Sequence, residues 1–178
     1  MFVFSAGMTA FAQNGLDEPN FIGEVILISP DNTPMLLEKS SVQIKTKANA
    51  STFIVGIGKA KSKITIDGPK ASTRIPNSAD IKLLVKAVDN ASDPMSIINV
   101  FKMEASKKER KAELSSLSTF GSHSSNNLEL MKFKAVKFRD SSYLITLVDM
   151  VPGEYGVTVK NPNNLDERSI IVSTFAID

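Results

Sequence analysis

Two β-strands joined by a tight turn are predicted by the segment SYLITLVDMVPGEYGVTV, residues 142–159. In its first half, large apolar residues alternate over 143–147, so that Tyr, Ile and Leu fall on one face. Pro152 and Gly153 then indicate a turn, because proline presets φ and glycine adopts backbone conformations that other residues resist. The alternation resumes over 155–159, where Tyr and two Val share a face. The segment therefore predicts a β-hairpin with one buried face.

Similar short apolar or alternating segments recur along the chain, separated by clusters of turn-forming residues. The further predicted strands cover residues 21–29, 35–38, 41–47, 52–57, 59–67, 81–88, 96–104, 128–139 and 169–177. No segment shows a convincing helical period. This pattern predicts an all-β fold, a two-sheet antiparallel β-sandwich of immunoglobulin-like or jelly-roll-like type with little or no helix.

Four parts of the pattern lead to specific expectations. Residues 115–127, SSLSTFGSHSSNN, are of low complexity and predict a loop, and residues 107–111, KKERK, predict a charged turn or strand end. Over residues 128–139 the apolar phase slips, which two bulges or a bend where the strand changes sheet would explain. Glu24 adjoins the apolar run 25–28, so its carboxylate needs a partner or an edge position.

The composition indicates one globular domain without covalent cross-links. A chain of 178 residues suits a single domain, assigned here to residues 21–178, and is long enough to bury a substantial core. The absence of cysteine excludes disulfides, thiol catalysis and thiolate metal sites. The formal net charge of +2 is small and gives little indication of a nucleic-acid or membrane-surface partner.

Residues 1–12, MFVFSAGMTAFA, are apolar and uncharged and are interpreted as a signal peptide. Ala10-Phe11-Ala12 fits the small-x-small pattern of a signal-peptidase site, and the apolar run is too short to span a bilayer. No basic residue precedes Lys39, so the true start of the signal is expected upstream. The alternative is a buried N-terminal strand or helix. Residues 13–20 predict a mobile lead-in, and the mature chain is expected to be secreted or periplasmic, without a transmembrane span.

Residues 150–159, MVPGEYGVTV, resemble the PG-x-Y-x-V-x-V segment of fibronectin-type and carboxypeptidase-regulatory-like β-sandwiches. The resemblance implies that Tyr155 forms a tyrosine corner, with its hydroxyl bonded to nearby backbone, and that Pro152 and Gly153 shape the preceding turn. The whole chain resembles uncharacterised secreted single-domain β proteins of Gram-negative gut bacteria, which share a short signal ending in Ala-Gln, the absence of cysteine and a PGEY strand near the C-terminus. These resemblances imply a fold, and they carry over no activity and no functional residue.

No catalytic, cofactor-binding or metal site is predicted. The single histidine, His123, lies in the serine-rich segment, where neighbours in a loop cannot orient one another as a triad requires. One histidine and no cysteine leave carboxylates as metal ligands, and their spacing fits no calcium loop. Gly56 and Gly58 lack the strand–turn–helix setting of a phosphate loop. The carboxylates considered for a glycosidase pair, of which sequence brings no two together, are Asp17, Glu18, Glu24, Asp149, Asp166 and Glu167.

Basic residues recur at alternate positions of several predicted strands. They are Lys45, Lys47, Lys59, Lys61, Lys63, Lys132, Lys134, Lys137 and Arg139. Together they predict a surface for an anionic envelope polymer such as lipopolysaccharide, capsule or teichoic-type chains. Nucleic acid is not expected, because no aromatic pattern of the RNA-recognition type accompanies the lysines. The alternative is that lysines on exposed faces and edge strands block edge-to-edge pairing.

The sequence thus predicts a non-catalytic secreted or cell-envelope β-sandwich, without cofactor, that acts as a protein- or glycan-interaction module. Two alternatives remain open: a polyanion-binding envelope protein that uses the lysines, and a hydrolase that acts on glycans through two carboxylates. An exposed apolar or aromatic patch would favour the interaction module. A single continuous lysine face would favour polyanion binding, and two facing carboxylates in a cleft would favour the hydrolase.

Overall fold

The computed structural model describes residues 16–43, 45–47, 59–77, 80–118, 121–126, 128–163 and 169–178. Strands β1–β7 are Val25–Ile28, Pro34–Leu36, Glu38–Gln43, Lys45–Lys47, Lys59–Asp67, Arg74–Ile75 and Lys82–Lys86. A four-residue helix α1, Pro94–Ile97, follows. Strands β8–β14 are Ile98–Ala105, Glu109–Ser118, Gly121–Asn126, Phe133–Phe138, Ser142–Leu147, Gly153–Val159 and Ser169–Ile177. The predicted all-β fold of two packed antiparallel sheets is confirmed.

The strands form two sheets. The first sheet has the order β11-β12-β7-β1-β2, and all of its neighbouring strands are antiparallel. The second has the order β3-β14-β13-β8-β9-β5-β4, with β10 added beside β9. The short strand β6 pairs with β14 in the parallel direction. Half of the twelve pairings between the described strands join strands that are not consecutive in the chain, as in sandwiches with crossing connections.

The second sheet curls until its two ends meet. Its first strand, β3, pairs with β14, and its last strand, β4, pairs with β5. Because β3 ends at Gln43 and β4 begins at Lys45, these two ends are successive pieces of the chain. The sheet is therefore nearly barrel-shaped, and its curved interior holds a small apolar core that includes Val42, Ile64 and Phe101.

The main core lies between the two sheets. Its first-sheet side includes Leu27, Leu83 and Ile145, and its second-sheet side includes Tyr155 and Phe175, all almost fully buried. Since the second sheet has this core on one side and the barrel interior on the other, β13 is covered on both faces. A strand buried on both faces needs no polar side, which accounts for its continuous burial over 154–157.

The predicted hairpin over residues 142–159 is wrong, although both of its strands exist. β12 pairs with β11 and β7 in the first sheet, whereas β13 pairs with β14 and β8 in the second. Residues 148–152 therefore carry the chain across the core, and Asp149 within them has a φ of 54°. Alternation shows which residues of a strand share a face, but it does not show which strand lies alongside. The apolar side chains of both strands face each other across the core instead of sharing one sheet.

The serine-rich segment also differs from its prediction. Instead of a loop over 115–127, β9 continues to Ser118 and β10 runs beside it, with Ser125 opposite Ser116. β9 pairs with β5 along residues 109–118, and these backbone hydrogen bonds keep the serine-rich part of β9 extended. The other edge of β9 is then available to pair with β10. Backbone hydrogen bonding thus overrides a composition that favours a loop. Within the predicted charged turn over 107–111, β9 already begins at Glu109.

The phase slip over 128–139 arises from a change of sheet, one of the two predicted explanations. Leu130 bridges to Phe101 of β8, and the Met131 amide donates to the Val100 carbonyl oxygen at 2.8 Å. The chain then leaves the second sheet and forms β11 at the edge of the first. When the chain changes sheet, a different side of the strand faces the core. The alternate positions that carry apolar residues therefore shift at this crossing.

Some predicted features lie outside the described residues, namely the signal peptide at 1–12 and the strand at 52–57. The predicted lead-in is described from residue 16 onward. Leu16 packs against an apolar cluster on the outer face of the first sheet. Glu18 pairs with Lys86 at 2.9 Å and accepts a hydrogen bond from the Ser141 amide at 3.2 Å. Residues 16–18 are thus joined to the first sheet by packing and by an ion pair.

Candidate functional site

A groove of about 1,140 Å³ lies where the mouth of the curled sheet meets the end of the sandwich. Its floor is apolar, because alternate residues of β5, β9 and β14 that face the small core end here. These strand residues are Ile64, Leu114 and Ile170, and Leu128, which precedes β11, joins them in the floor. The volume is slightly above the usual range of about 300–1,000 Å³ for small-molecule sites, and the floor is apolar, as in most ligand sites.

One wall of the groove carries exposed apolar side chains. Phe21 is 68% exposed, Ile22 39% and Ile171 51%, and all three line the groove. The turn at 21–24 presents Phe21, since the Glu24 amide donates to the Phe21 carbonyl oxygen at 2.9 Å and Gly23 adopts a φ of 83°. Large apolar groups at a groove, fixed by a turn instead of buried, are typical of binding surfaces.

The other wall is polar, and it includes the charged residue Lys160. Asn99 and Thr158 are paired across β8 and β13 at the mouth of the barrel. The chain beyond β13 makes a further turn in which the Asn163 amide donates to the Asn161 side-chain oxygen at 2.9 Å. The Lys160 amide fixes this turn to the sandwich by donating to the Ile97 carbonyl oxygen at 2.8 Å. Amides and hydroxyls, which both donate and accept hydrogen bonds, therefore line this side.

Glu24, which the sequence places beside an apolar run, has an ion-pair partner in Lys39. Its carboxylate accepts hydrogen bonds from Lys39 Nζ at 3.1 Å, from the Asn20 amide at 2.8 Å and from the Phe21 amide at 3.3 Å. Burial raises the pKa of Glu24, but these hydrogen bonds and the charge of Lys39 outweigh it, so the pKa is lowered. Glu24 is therefore ionised at neutral pH, and it holds the turn that presents Phe21.

The carboxylates considered for hydrolysis do not meet in this groove. Glu24 is the one carboxylate among the described lining residues. Glu18 bonds to Lys86, Asp17 lies 3.4 Å from Arg139, and Asp149 is exposed in the crossing loop. Asp166 and Glu167 lie outside the described residues. Within the part of the chain that the structure describes, no group of three or more His, Cys, Asp or Glu side chains is arranged to hold a metal ion.

The residues singled out by the tyrosine-corner resemblance lie away from the groove. The Tyr155 hydroxyl donates to the Val151 carbonyl oxygen at 2.5 Å, which is the hydrogen bond the resemblance implies. Its ring stacks on Phe175 with centroids 5.4 Å apart, and burial raises the pKa of its hydroxyl. Pro152 is exposed and Gly153 half-buried at the start of β13. These contacts hold the crossing loop against the main core.

The predicted basic residues are divided between the two sheets. Five lysines lie on the neighbouring strands β4 and β5, where Lys45 is opposite Lys63 and Lys47 is opposite Lys61. Those of the other group lie on or beside β11 in the first sheet. Lys134 pairs with Thr146 and Lys137 with Tyr143, so these two lysines face opposite sides of their sheet. The backbone of His123 lies in β10, within a strand instead of the predicted loop.

Sequence reasoning missed a polar network at the other end of the barrel. Arg110, only 1% exposed, donates to Glu38 at 3.0 Å, to the Thr174 hydroxyl at 3.0 Å and to the Gly68 carbonyl oxygen at 3.1 Å. Burial raises the pKa of Glu38, but the hydrogen bond from Arg110 and its other donors lower it overall. Arg110 lies on the same face of β9 as Ala112 and Leu114, which point inward. This alternation was the one sequence feature that indicated a buried arginine. Its partners come from distant strands, which sequence alone does not bring together.

Comparison of the chain with protein-family models, curated proteins and solved structures gives no significant match. Among the described residues, no helix has the length and apolar character needed to cross a membrane.

Proposed function

We propose that this protein is a non-catalytic interaction module of the cell envelope, secreted or periplasmic, that binds a protein or glycan partner in the groove. The observation that carries the proposal is the exposed apolar wall of Phe21, Ile22 and Ile171, held by an ordered turn. The location rests on residues 1–12, interpreted as a signal peptide.

Of the two partners, a glycan fits the groove better. Sugar rings offer an apolar face to an aromatic side chain and hydroxyls to amides, and the groove provides both on opposing walls. Phe21 supplies the aromatic side chain, while Asn99, Thr158 and Asn161 supply the polar groups. A protein segment would use the same apolar wall, with a larger share of the contact on Ile22 and Ile171.

Hydrolysis of the bound glycan is not favoured by this geometry. A glycosidase needs one carboxyl group that stays protonated and a second carboxylate on the opposite side of the bond. Glu24 is ionised by its contact with Lys39, and the described lining offers it no second carboxylate. The groove therefore has the groups for binding and lacks, among its described residues, the pair for this chemistry.

The test is to capture material from a native envelope extract with the purified protein and with two variants. Phe21→Ala removes the aromatic wall, and Leu36→Ala is the matched control, since Leu36 is 67% exposed but lies on β2 away from the groove. We expect the wild type and Leu36→Ala to retain the same glycan or protein after a high-salt wash, and Phe21→Ala to lose it.

The bound material is identified by sugar analysis and mass spectrometry, and circular dichroism checks that both variants are folded. Equal retention by Phe21→Ala would overturn the assignment of the groove. Retention that disappears for all three proteins as salt rises would show that exposed charges, and not the apolar wall, hold the partner.

A further inference from the structure

The pairing of β4 with β5 concentrates lysines on one face of the second sheet. Lys45 lies opposite Lys63, and Lys47 lies opposite Lys61. Residues directly opposite in an antiparallel pair share a face, and so do residues two apart along a strand. Lys59 therefore belongs to the same face as the two pairs, and Lys63 on this face is exposed. We call this the lysine face.

The next strands continue the lysine face with hydroxyl-bearing residues. Across β9, Lys61 is opposite Ser116 and Lys59 is opposite Ser118, and in β10 Ser125 is opposite Ser116. Glu113, opposite Lys63, is the one acidic residue in these parts of the four strands, residues 45–47, 59–63, 113–118 and 121–126. The strand register thus places five lysines and one glutamate at neighbouring positions, an excess of basic residues.

This arrangement works against the stability of the sheet. Like charges placed directly opposite on neighbouring strands repel, and this lowers the stability of the pair. Edge protection needs a lysine on the strand at the edge, but it does not need a second lysine opposite each one. The doubled lysines are therefore better explained by an anion that lies between them and relieves the repulsion.

We infer that the lysine face binds a linear polysaccharide that carries carboxylate or sulfate groups. Positions along a strand repeat every two residues, about 7 Å, so the face presents a regular double row of positive charge to a polymer with repeated negative charge. Lysine and serine alternate across this register, and ammonium and hydroxyl groups both donate hydrogen bonds to carboxylate and sulfate oxygens. Nucleic acid fits less well, because these strand segments contain no Phe, Tyr or Trp on which bases would stack.

This inference concerns a different surface from the groove and does not depend on the proposed function. The groove has an apolar wall, neutral amides and three charged residues, Glu24, Lys39 and Lys160, whereas the lysine face lies on the neighbouring strands β4 and β5. A polymer on the lysine face would be released by salt, since its contacts are exposed ion pairs. A partner in the groove would not.

The test compares two triple variants with the same change of charge. Lys45→Gln/Lys61→Gln/Lys63→Gln breaks both opposed pairs of the lysine face, and Lys132→Gln/Lys134→Gln/Lys137→Gln alters the exposed lysines of the β11 region. Binding is measured by titration with dextran sulfate, alginate, neutral dextran and an oligo-thymidine strand, each at low and high salt.

We expect the wild type to bind dextran sulfate or alginate and not neutral dextran, with affinity that falls as salt rises. The first triple variant should bind about tenfold more weakly, and the second should stay within about twofold of the wild type. If both triple variants bind the polysaccharides equally weakly, the net charge of the protein explains the binding, and the inference is overturned. Tighter binding of the oligo-thymidine strand than of either polysaccharide would also overturn it and favour nucleic acid.

Unfolding in urea gives a second readout that a merely structural role would not produce. Since removal of opposed like charges relieves repulsion, the first triple variant should unfold at higher urea than the wild type at low salt. Stability should therefore rise while binding of dextran sulfate falls. If the variant loses stability together with binding, the lysines support the sheet itself and the inference fails.

Discussion

At the scale of single residues, position 156 requires glycine because β13 and β8 approach closely there. A Cβ atom at this position would lie 2.6 Å from Cζ and 2.7 Å from Cε2 of Phe101, and 3.3 Å from the sulfur of Met103. Phe101 is completely buried, so its ring has no space into which it can move. The glycine thus allows the aromatic ring to fill the small core directly against the backbone of β13.

We expect Gly156→Ala to lower the free energy of unfolding by about 1–3 kcal/mol, because the added methyl overpacks this site. Urea denaturation followed by fluorescence or circular dichroism measures the change. Phe101→Leu in the same chain should recover part of the loss, since it removes the atoms that clash. A double variant whose loss equals the sum of the two single losses would contradict the assigned contact.

Tyr155→Phe should cost about 1 kcal/mol of stability, the usual net value of one hydrogen bond, and leave binding in the groove unchanged. The change removes only the bond to the Val151 carbonyl oxygen and keeps the stacking on Phe175. Tyr143→Phe is a comparable control, because the Tyr143 hydroxyl donates to the Ser92 carbonyl oxygen in another loop. A binding defect in Tyr155→Phe at unchanged stability would give Tyr155 a functional role instead of a structural one.

At the scale of elements, a buried cation ties three strands at one end of the barrel. Arg110 on β9 bonds to Glu38 on β3 and to Thr174 on β14, and the Thr174 hydroxyl also donates to Glu38 at 3.2 Å. Glu38→Gln would leave a neutral acceptor beside a buried guanidinium. We expect a loss of about 2 kcal/mol at pH 7, below the cost for a fully enclosed pair because Glu38 is partly exposed.

The same network predicts how stability depends on acid. The pKa of Glu38 is lowered in the folded state, so its contribution is present above the ordinary glutamate value of 4.5 and is lost as pH falls through the folded value. Glu18, Glu24 and Asp178 have pKa values lowered in the same sense. The urea midpoint should therefore fall steeply below about pH 4.5, and less steeply for Glu38→Gln. If the urea midpoint of Glu38→Gln falls with pH as steeply as that of the wild type, Glu38 does not contribute to the acid sensitivity. Glu104→Gln, a change at an exposed side chain, serves as the control.

Strand positions could be predicted from the sequence, and strand partners could not. β5 and β14 lie where alternation predicts them, with Ile64 and Ile66 inward, because the face of a strand is a local property. β12 and β13 each pair with one neighbour in the chain, β11 and β14, and with one much earlier strand, β7 and β8, so the predicted hairpin was wrong. The groove was missed for the same reason, since the turn at Phe21 and the end of β13 meet only in the folded chain. For Glu24, sequence specified the need for a partner but not its identity, Lys39.

At the scale of the whole molecule, the strands differ in how well they are protected. β13 and β8 lie between two apolar cores, whereas β2 and β11 pair on one side only and end the first sheet. Hydrogen exchange measured by mass spectrometry should therefore be slowest in the amides of 154–157 and 100–103, and fast at β2 and β11. Uniform exchange across both sheets would show that the molecule opens as one unit.

The curled second sheet also determines when the molecule can form. Glu38 on β3 accepts a hydrogen bond from Thr174 on β14, which lies 136 positions later in the chain. In the second sheet, β14 lies between β3 and β13. During synthesis, β3 emerges early without the neighbour that completes its hydrogen bonding, and β13 lacks one of its two flanking strands until β14 follows. Closure over so long a loop is slow. The second sheet therefore acquires its native topology only after β14 has been synthesised, and until then β3 is an open template for pairing with other nascent chains.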